Sequence, residues 1–135
     1  MSRFSTRGRR ALNRYIIAAV ALAGAALPIQ SAVACRGDFL GAYNTAITPQ
    51  DTRSSSGARL SSVAAIIQQD RANYHRFGRA DGPDQYDDMF LSAESRALIP
   101  RWMSPVPRPL ATAIRRGDAY INVQVYEGCI AVSAG

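Results

Sequence analysis

The sequence predicts an α+β fold, and three observations predict it. From Ala58 to Phe77, the residues Leu60, Val63, Ala64, Ile67, Arg71 and Tyr74 recur at three- and four-residue steps, with Ile66 and Phe77 widening the face. From Ala119 to Tyr126 the period changes to two, with Ala119, Ile121, Val123 and Val125 alternating with Tyr120, Asn122, Gln124 and Tyr126. Two cysteines, Cys35 and Cys129, flank most of the remaining chain. Together these give one long amphipathic helix plus two short helices packed on a C-terminal antiparallel hairpin, with an N-terminal segment as a candidate third strand.

The first 34 residues read as a cleavable secretory signal peptide, leaving 35–135 as a single small globular domain. Arg3, Arg7, Arg9, Arg10 and Arg14 form a basic start without an acid, and the apolar run Tyr15 to Leu27 follows. Ala32-Val33-Ala34 then fits a small-residue cleavage site, which makes Cys35 the first mature residue. The pair Arg9-Arg10 points weakly to export in the folded state, since Asn13 interrupts the apolar stretch expected after it. Removing this segment changes the electrostatics. The formal charge of +6 contains five leader arginines, so the mature chain is nearly neutral. Such a chain lacks the basic field that would attract nucleic acid or an anionic membrane.

Export implies an oxidising compartment, periplasmic or extracellular, where an even cysteine count in a small domain favours a disulfide. The rival reading is lipidation of Cys35, because Ala32-Val33-Ala34-Cys35 resembles an acylation box in which Ala32 replaces the usual Leu. Membrane association is expected only in that case.

Arg36 to Thr48 alternates through Phe39, Gly41, Tyr43, Thr45 and Ile47, which suits a strand or extended arm. Pro49 to Gly57 is a polar loop whose serines offer a helix N-cap. The long helix over Ala58 to Phe77 would be roughly 30 Å long and would end at Gly78, with Arg76 placed to suit the dipole. Gly78 to Asp88 is a loop. A second helix is expected to begin between Asp87 and Ser92 and to end near Ile99, because Pro100 disfavours continuation. Trp102 in the following proline-rich link reads as a core plug. Pro109 suits the first position of a third helix, Leu110 to Arg116, capped by Gly117. Glu127-Gly128 makes the turn from which Cys129 to Ser133 returns as the last strand.

The candidate chemistry lies in Gln69 to Phe90, which holds the single histidine and five of the ten carboxylates. Arg79, Asp81, Asp84 and Asp87 form an Asp/Arg loop that would serve as a binding surface. The catalytic candidates are His75 and Asp70, and the metal candidates are Asp81, Asp84 and His75. Calcium would need several oxygens from one flexible segment, but the spacing is not that of an EF-hand, with Ser92 at the twelfth position from Asp81. Zinc would need more His or Cys ligands than one histidine provides. A cofactor is therefore not expected. Asp70 lies at the margin of the helix's apolar face and should pair with an Arg, pinning the loop to the helix.

There is no Gly-x-Ser-x-Gly elbow, phosphate-cradling glycine loop or CxxC motif. Two Arg-Gly-Asp tripeptides, at Arg36 and Arg116, fall beside a cysteine and at a helix end, positions unsuited to adhesion. The leading expectation is a small exported binding or interaction protein with an unidentified protein or small-molecule ligand. The alternatives are a metal-dependent or hydrolytic enzyme using His75 with Asp70 or Asp81, and a lipid-anchored structural component of the envelope.

Overall fold

A computed structural model describes residues 35–135. The proposed leader lies outside the described residues. In chain order the elements are β1 (Phe39–Ile47), α1 (Val63–His75), α2 (Ala93–Arg96), α3 (Ile99–Trp102), α4 (Arg108–Arg116), β2 (Ala119–Tyr126) and β3 (Cys129–Ala134). The fold is α+β, with a three-stranded antiparallel sheet in the order β1-β2-β3.

Period-two alternation decides which side of the sheet is covered. Tyr43, Thr45 and Ile47 of β1, Ile121, Val123 and Val125 of β2, and Ile130 of β3 are buried, while their neighbours are more open. Val63, Ile66 and Ile67 of α1, Ile99 of α3, and Ala111 and Ile114 of α4 close the same core, together with Phe90. β2 and β3 meet through Tyr126 and Cys129, and Gly128 between them takes a positive φ of 72°. β1 comes first in sequence yet pairs with β2 from Phe39↔Tyr126 to Ile47↔Ala119.

Just beyond that ladder, Cys35 and Cys129 are joined in a disulfide, their Cα atoms 5.5 Å apart. The arm runs tight against the turn here: a Cβ on Gly37 would stand 2.1 Å from the Glu127 carbonyl oxygen. Among the described residues, no helix is long and apolar enough to cross a membrane.

The helices differ from expectation for local reasons. α1 starts at Val63 rather than Ala58, because the Ser62 side chain accepts from the Ala65 N–H at 3.1 Å and so serves as the N-cap. Leu60 N–H instead donates to Thr52 O at 2.8 Å, and Arg53 bridges to Arg59, holding the preceding residues out of the helix. The expected apolar stripe also fails toward the C-terminal end of α1, where Asp70, Arg71 and Asn73 are buried.

The second predicted helix is two separate turns, α2 and α3. Ser92 and Ser95 cap α2 reciprocally, and Pro100 falls within the first turn of α3, where its missing N–H would have had no partner. α4 begins at Arg108, one residue before Pro109, and ends on Gly117 at φ 71°. Glycine is required there twice over, since a Cβ would also lie 2.6 Å from Pro49 N.

The disulfide closes a sequence separation of 94 residues. Replacing both cysteines by serine is expected to lower unfolding free energy by about 4 kcal/mol in urea titrations, from the lost restraint on the unfolded chain.

Candidate functional site

The predicted residues converge on a charged side chain whose role the sequence reading missed. Arg71 is 0% exposed. Its Nε donates to Asp70 Oδ2 at 2.8 Å, its Nη1 to Asp87 Oδ2 at 3.0 Å and to Gln85 O at 3.1 Å, and its Nη2 to Thr45 Oγ1 at 2.8 Å. The guanidinium also lies over the Tyr43 and Tyr74 rings, 4.3 and 4.8 Å from their centroids. One side chain thus joins β1, α1 and the loop after α1.

Thr45 poses a question of hydrogen counting. Its hydroxyl has one hydrogen and two lone pairs. Besides Arg71, it stands 3.0 Å from Asp70 Oδ1 and 2.9 Å from Asp84 Oδ1, and it can donate to only one of these carboxylates. Were both ionised, the other contact would set two unshared oxygen lone pairs against each other. A proton on one carboxyl removes the conflict. Burial raises the Asp70 carboxyl from its ordinary 3.8 to about 7, against the opposing pull of the Arg71 charge. As pH falls below about 7, Asp70 gains a proton that it can donate to Thr45, which frees the Thr45 hydrogen for Asp84.

Asp84 is further held by the Ala46 N–H at 2.9 Å and the Asp81 N–H at 2.7 Å. Asp87 accepts from the Phe90 N–H at 2.8 Å, and its other oxygen lies 2.9 Å from His75 Nε2. The His75 ring packs edge-on against Tyr74 and Tyr86. Asp81 accepts from Thr48 Oγ1 at 3.0 Å and faces Gln50 Nε2 at 3.4 Å.

Of the predicted residues, Asp70, His75, Asp84 and Asp87 thus belong to one connected cluster, with Asp81 at its edge. Arg79 is exposed, and its backbone is what is tied, by Asn73 O and Gln50 Nε2. His75 bonds Asp87, a different carboxylate from the Asp70 or Asp81 considered in the enzyme reading.

Sequence reasoning also missed Thr45, Asp51 and Asn73. Asp51 is buried and accepts from the Thr48 N–H at 2.8 Å and Asn73 Nδ2 at 2.7 Å, and burial raises its carboxyl as well. Two signals were available. Arg71 occupied a core-facing position in the helical period, and Thr45 stood between inward-facing Tyr43 and Ile47 in the strand period.

As for chemistry, Thr45 is the hydroxyl at the centre of the cluster, and its hydrogen and lone pairs are already engaged. Among the described residues, no three His, Cys, Asp or Glu side chains converge as a metal site. The Tyr43 hydroxyl is buried without a partner among them, and burial pushes its pKa well above the ordinary range. Comparisons with protein-family models, curated proteins and solved structures find no match to this chain.

A raised folded-state pKa for Asp70 means that its contribution to stability is complete below its unfolded value and is lost as pH rises through about 7. Urea unfolding across that range should show stability falling with pH, and Asp70→Asn, a neutral mimic of the protonated acid, should flatten the slope. Tyr43→Phe, which removes a hydroxyl lacking a partner, should be neutral or stabilising by up to about 1 kcal/mol in the same assay.

Proposed function

We propose that the protein is a small exported binding or interaction protein, periplasmic or extracellular, whose contact surface is the rim of the loop from Gly78 to Phe90. The observation that carries this reading is that the loop has no regular helix or strand yet is fastened from beneath at several points. Gln85 N–H donates to Asn44 O at 2.9 Å, and Asn44 N–H donates back to the Gln85 side chain at 2.8 Å. Asp84 takes the Ala46 N–H, and Arg71 holds Gln85 O and Asp87. A loop fixed in this way loses little conformational freedom on binding.

The outer side of the loop supplies the contacts. Tyr86 is 63% exposed, and Arg79 and Asp88 are open to solvent. A rigid tyrosine flanked by charges is well suited to recognising a protein partner. In this reading α1 and the C-terminal hairpin are the scaffold, Asp84 and Asp87 are supports, and Arg79, Asp81 and Tyr86 make contact. Export rests on the leader pattern and is compatible with the Cys35–Cys129 disulfide. A lipid-anchored envelope component would need the Cys35 thiol for a thioether, and the disulfide uses it.

The second reading is a hydrolytic or metal-dependent enzyme. The contact that favours it is His75 Nε2 to Asp87 Oδ2 at 2.9 Å, the kind of pair that orients a general base. Among the described residues no serine, threonine or cysteine is hydrogen-bonded to the pair, and the binding reading is preferred for that reason.

A photo-crosslinking residue placed at position 86 is expected to yield a discrete adduct in the native compartment, absent when the same residue is placed at 115 on α4. Arg79→Ala should weaken that adduct about fivefold or more without changing the melting temperature. The same adducts from both positions would place the contact surface elsewhere. A turnover abolished by His75→Ala would favour the enzyme.

A further inference from the structure

A second feature lies apart from the loop, in a groove between α1 and α2. The cavity there has a volume of about 320 Å³ and exists because its α1 wall carries small side chains at Ala65 and Ala72. Gln68, Gln69 and Arg76 rise beside them on the same helical face, and Arg96 of α2 lines the opposite side.

Arg96 is 6% exposed, yet it has no ion-pair partner. The ion pairs among the described residues are Arg71 with Asp70, Arg71 with Asp87, and His75 with Asp87. Glu94, the nearest acid in sequence, is fully exposed; it feels the Arg96 charge but does not come into ion-pair contact with it. Only one nitrogen of Arg96 is bonded: Nη1 donates to Phe90 O at 3.0 Å and to Leu91 O at 2.8 Å. Those bonds fix the plane of the guanidinium. They leave Nε and Nη2 without an acceptor among the described residues, and neither atom is sealed from solvent.

The Nε–Nη2 edge is the one on which a carboxylate can take two parallel hydrogen bonds. Arg71 makes a useful contrast, since its Nε, Nη1 and Nη2 are all engaged within the protein. Arg96 is thus a largely buried cation that lines the cavity, with a two-donor edge free of acceptors and no carboxylate in ion-pair contact among the described residues. Arg76 adds a second positive charge to the rim. Gln69 donates through Nε2 to Asn73 at 2.9 Å, which leaves its carbonyl oxygen as an acceptor for a donor on the ligand.

The geometry points to a binding site for a small organic acid: its carboxylate sits on the Nε–Nη2 edge of Arg96, Arg76 screens it, and Gln69 receives a hydroxyl or amino hydrogen. The volume matches a small molecule, and the alanine floor accommodates its carbon chain. This site is separate from the loop rim, and either can stand without the other.

The test is an NMR titration of the full chain with L-malate, following the Arg96 Nε resonance at constant ionic strength, with the diamide of malate and with sulfate as parallel probes. The expected result is a saturable shift with malate, with a dissociation constant of about 1 mM or tighter, and no saturable shift with the diamide. Arg96→Lys keeps the charge but loses the two-donor edge, and should weaken binding about tenfold or more. Because Arg96→Lys also gives up the bonds to Phe90 and Leu91, Arg76→Ala provides the second variant, with about a threefold or greater loss and an unchanged melting temperature. Absence of a saturable shift by about 50 mM malate, equal responses to malate and diamide, or an equal response to sulfate would overturn the assignment.

Discussion

The buried Arg71 guanidinium is the constraint on which the rest of the structure depends. A charge in that position is tolerated only with close partners, because its desolvation costs several kcal/mol. It finds them on three segments far apart in sequence: Thr45 on β1, Asp70 on α1, and Gln85 and Asp87 in the loop. Tyr43 and Tyr74 complete the enclosure with ring faces. Meeting the needs of one cation therefore fixes where the loop crosses the sheet edge, and the apolar core beneath it has only to supply the platform.

Thr45 transmits that constraint to the strand. Thr45 lies within hydrogen-bond reach of both Asp70 and Asp84, and the raised pKa of Asp70 lets a proton settle between them as pH falls below about 7. Asp84 and Gln85 in turn engage the outward backbone groups of Asn44 and Ala46. β1 is an edge strand, and an uncovered edge invites pairing with other chains. The loop covers it at these positions, so the same bonds that order the loop also protect the sheet.

Much of this was legible in the residues, and the rest was hidden for physical reasons. The α+β class followed from the change of period between Val63–Tyr74 and Ala119–Tyr126, since burial of one face imposes those periods. The cysteine pairing was expected from an even count and the oxidising compartment that the leader pattern implies, with lipidation of Cys35 as its rival, and the disulfide is present. The start of α1 was misplaced because several serines compete as caps, and only the tertiary position of Leu60, bonded to Thr52, selects Ser62. Pairing of Asp70 with an arginine was foreseen, but its partner proved to be the adjacent Arg71, which the helical period had assigned to the core face without assigning it a partner. The burial of Asp51 and Asn73 was hidden because the bond that joins them spans 22 residues, although each also has a local partner in Thr48 and Gln69. The free edge of Arg96 is likewise invisible in sequence: it depends on which carbonyls the neighbouring loop turns inward.

These relations connect the interior to the proposed function. An irregular loop serves recognition well when its backbone is settled before a partner arrives, and here the settling is done by a polar cluster instead of by regular secondary structure. The most direct measurement is amide hydrogen exchange in Arg71→Met, which fills the same space without the charge. Asn44, Ala46 and Gln85 are expected to lose about tenfold or more of their protection while Val123 and Val125 of the central strand keep theirs. Unchanged protection at Asn44, Ala46 and Gln85, or a loss spread evenly through the central strand, would contradict this dependence on Arg71.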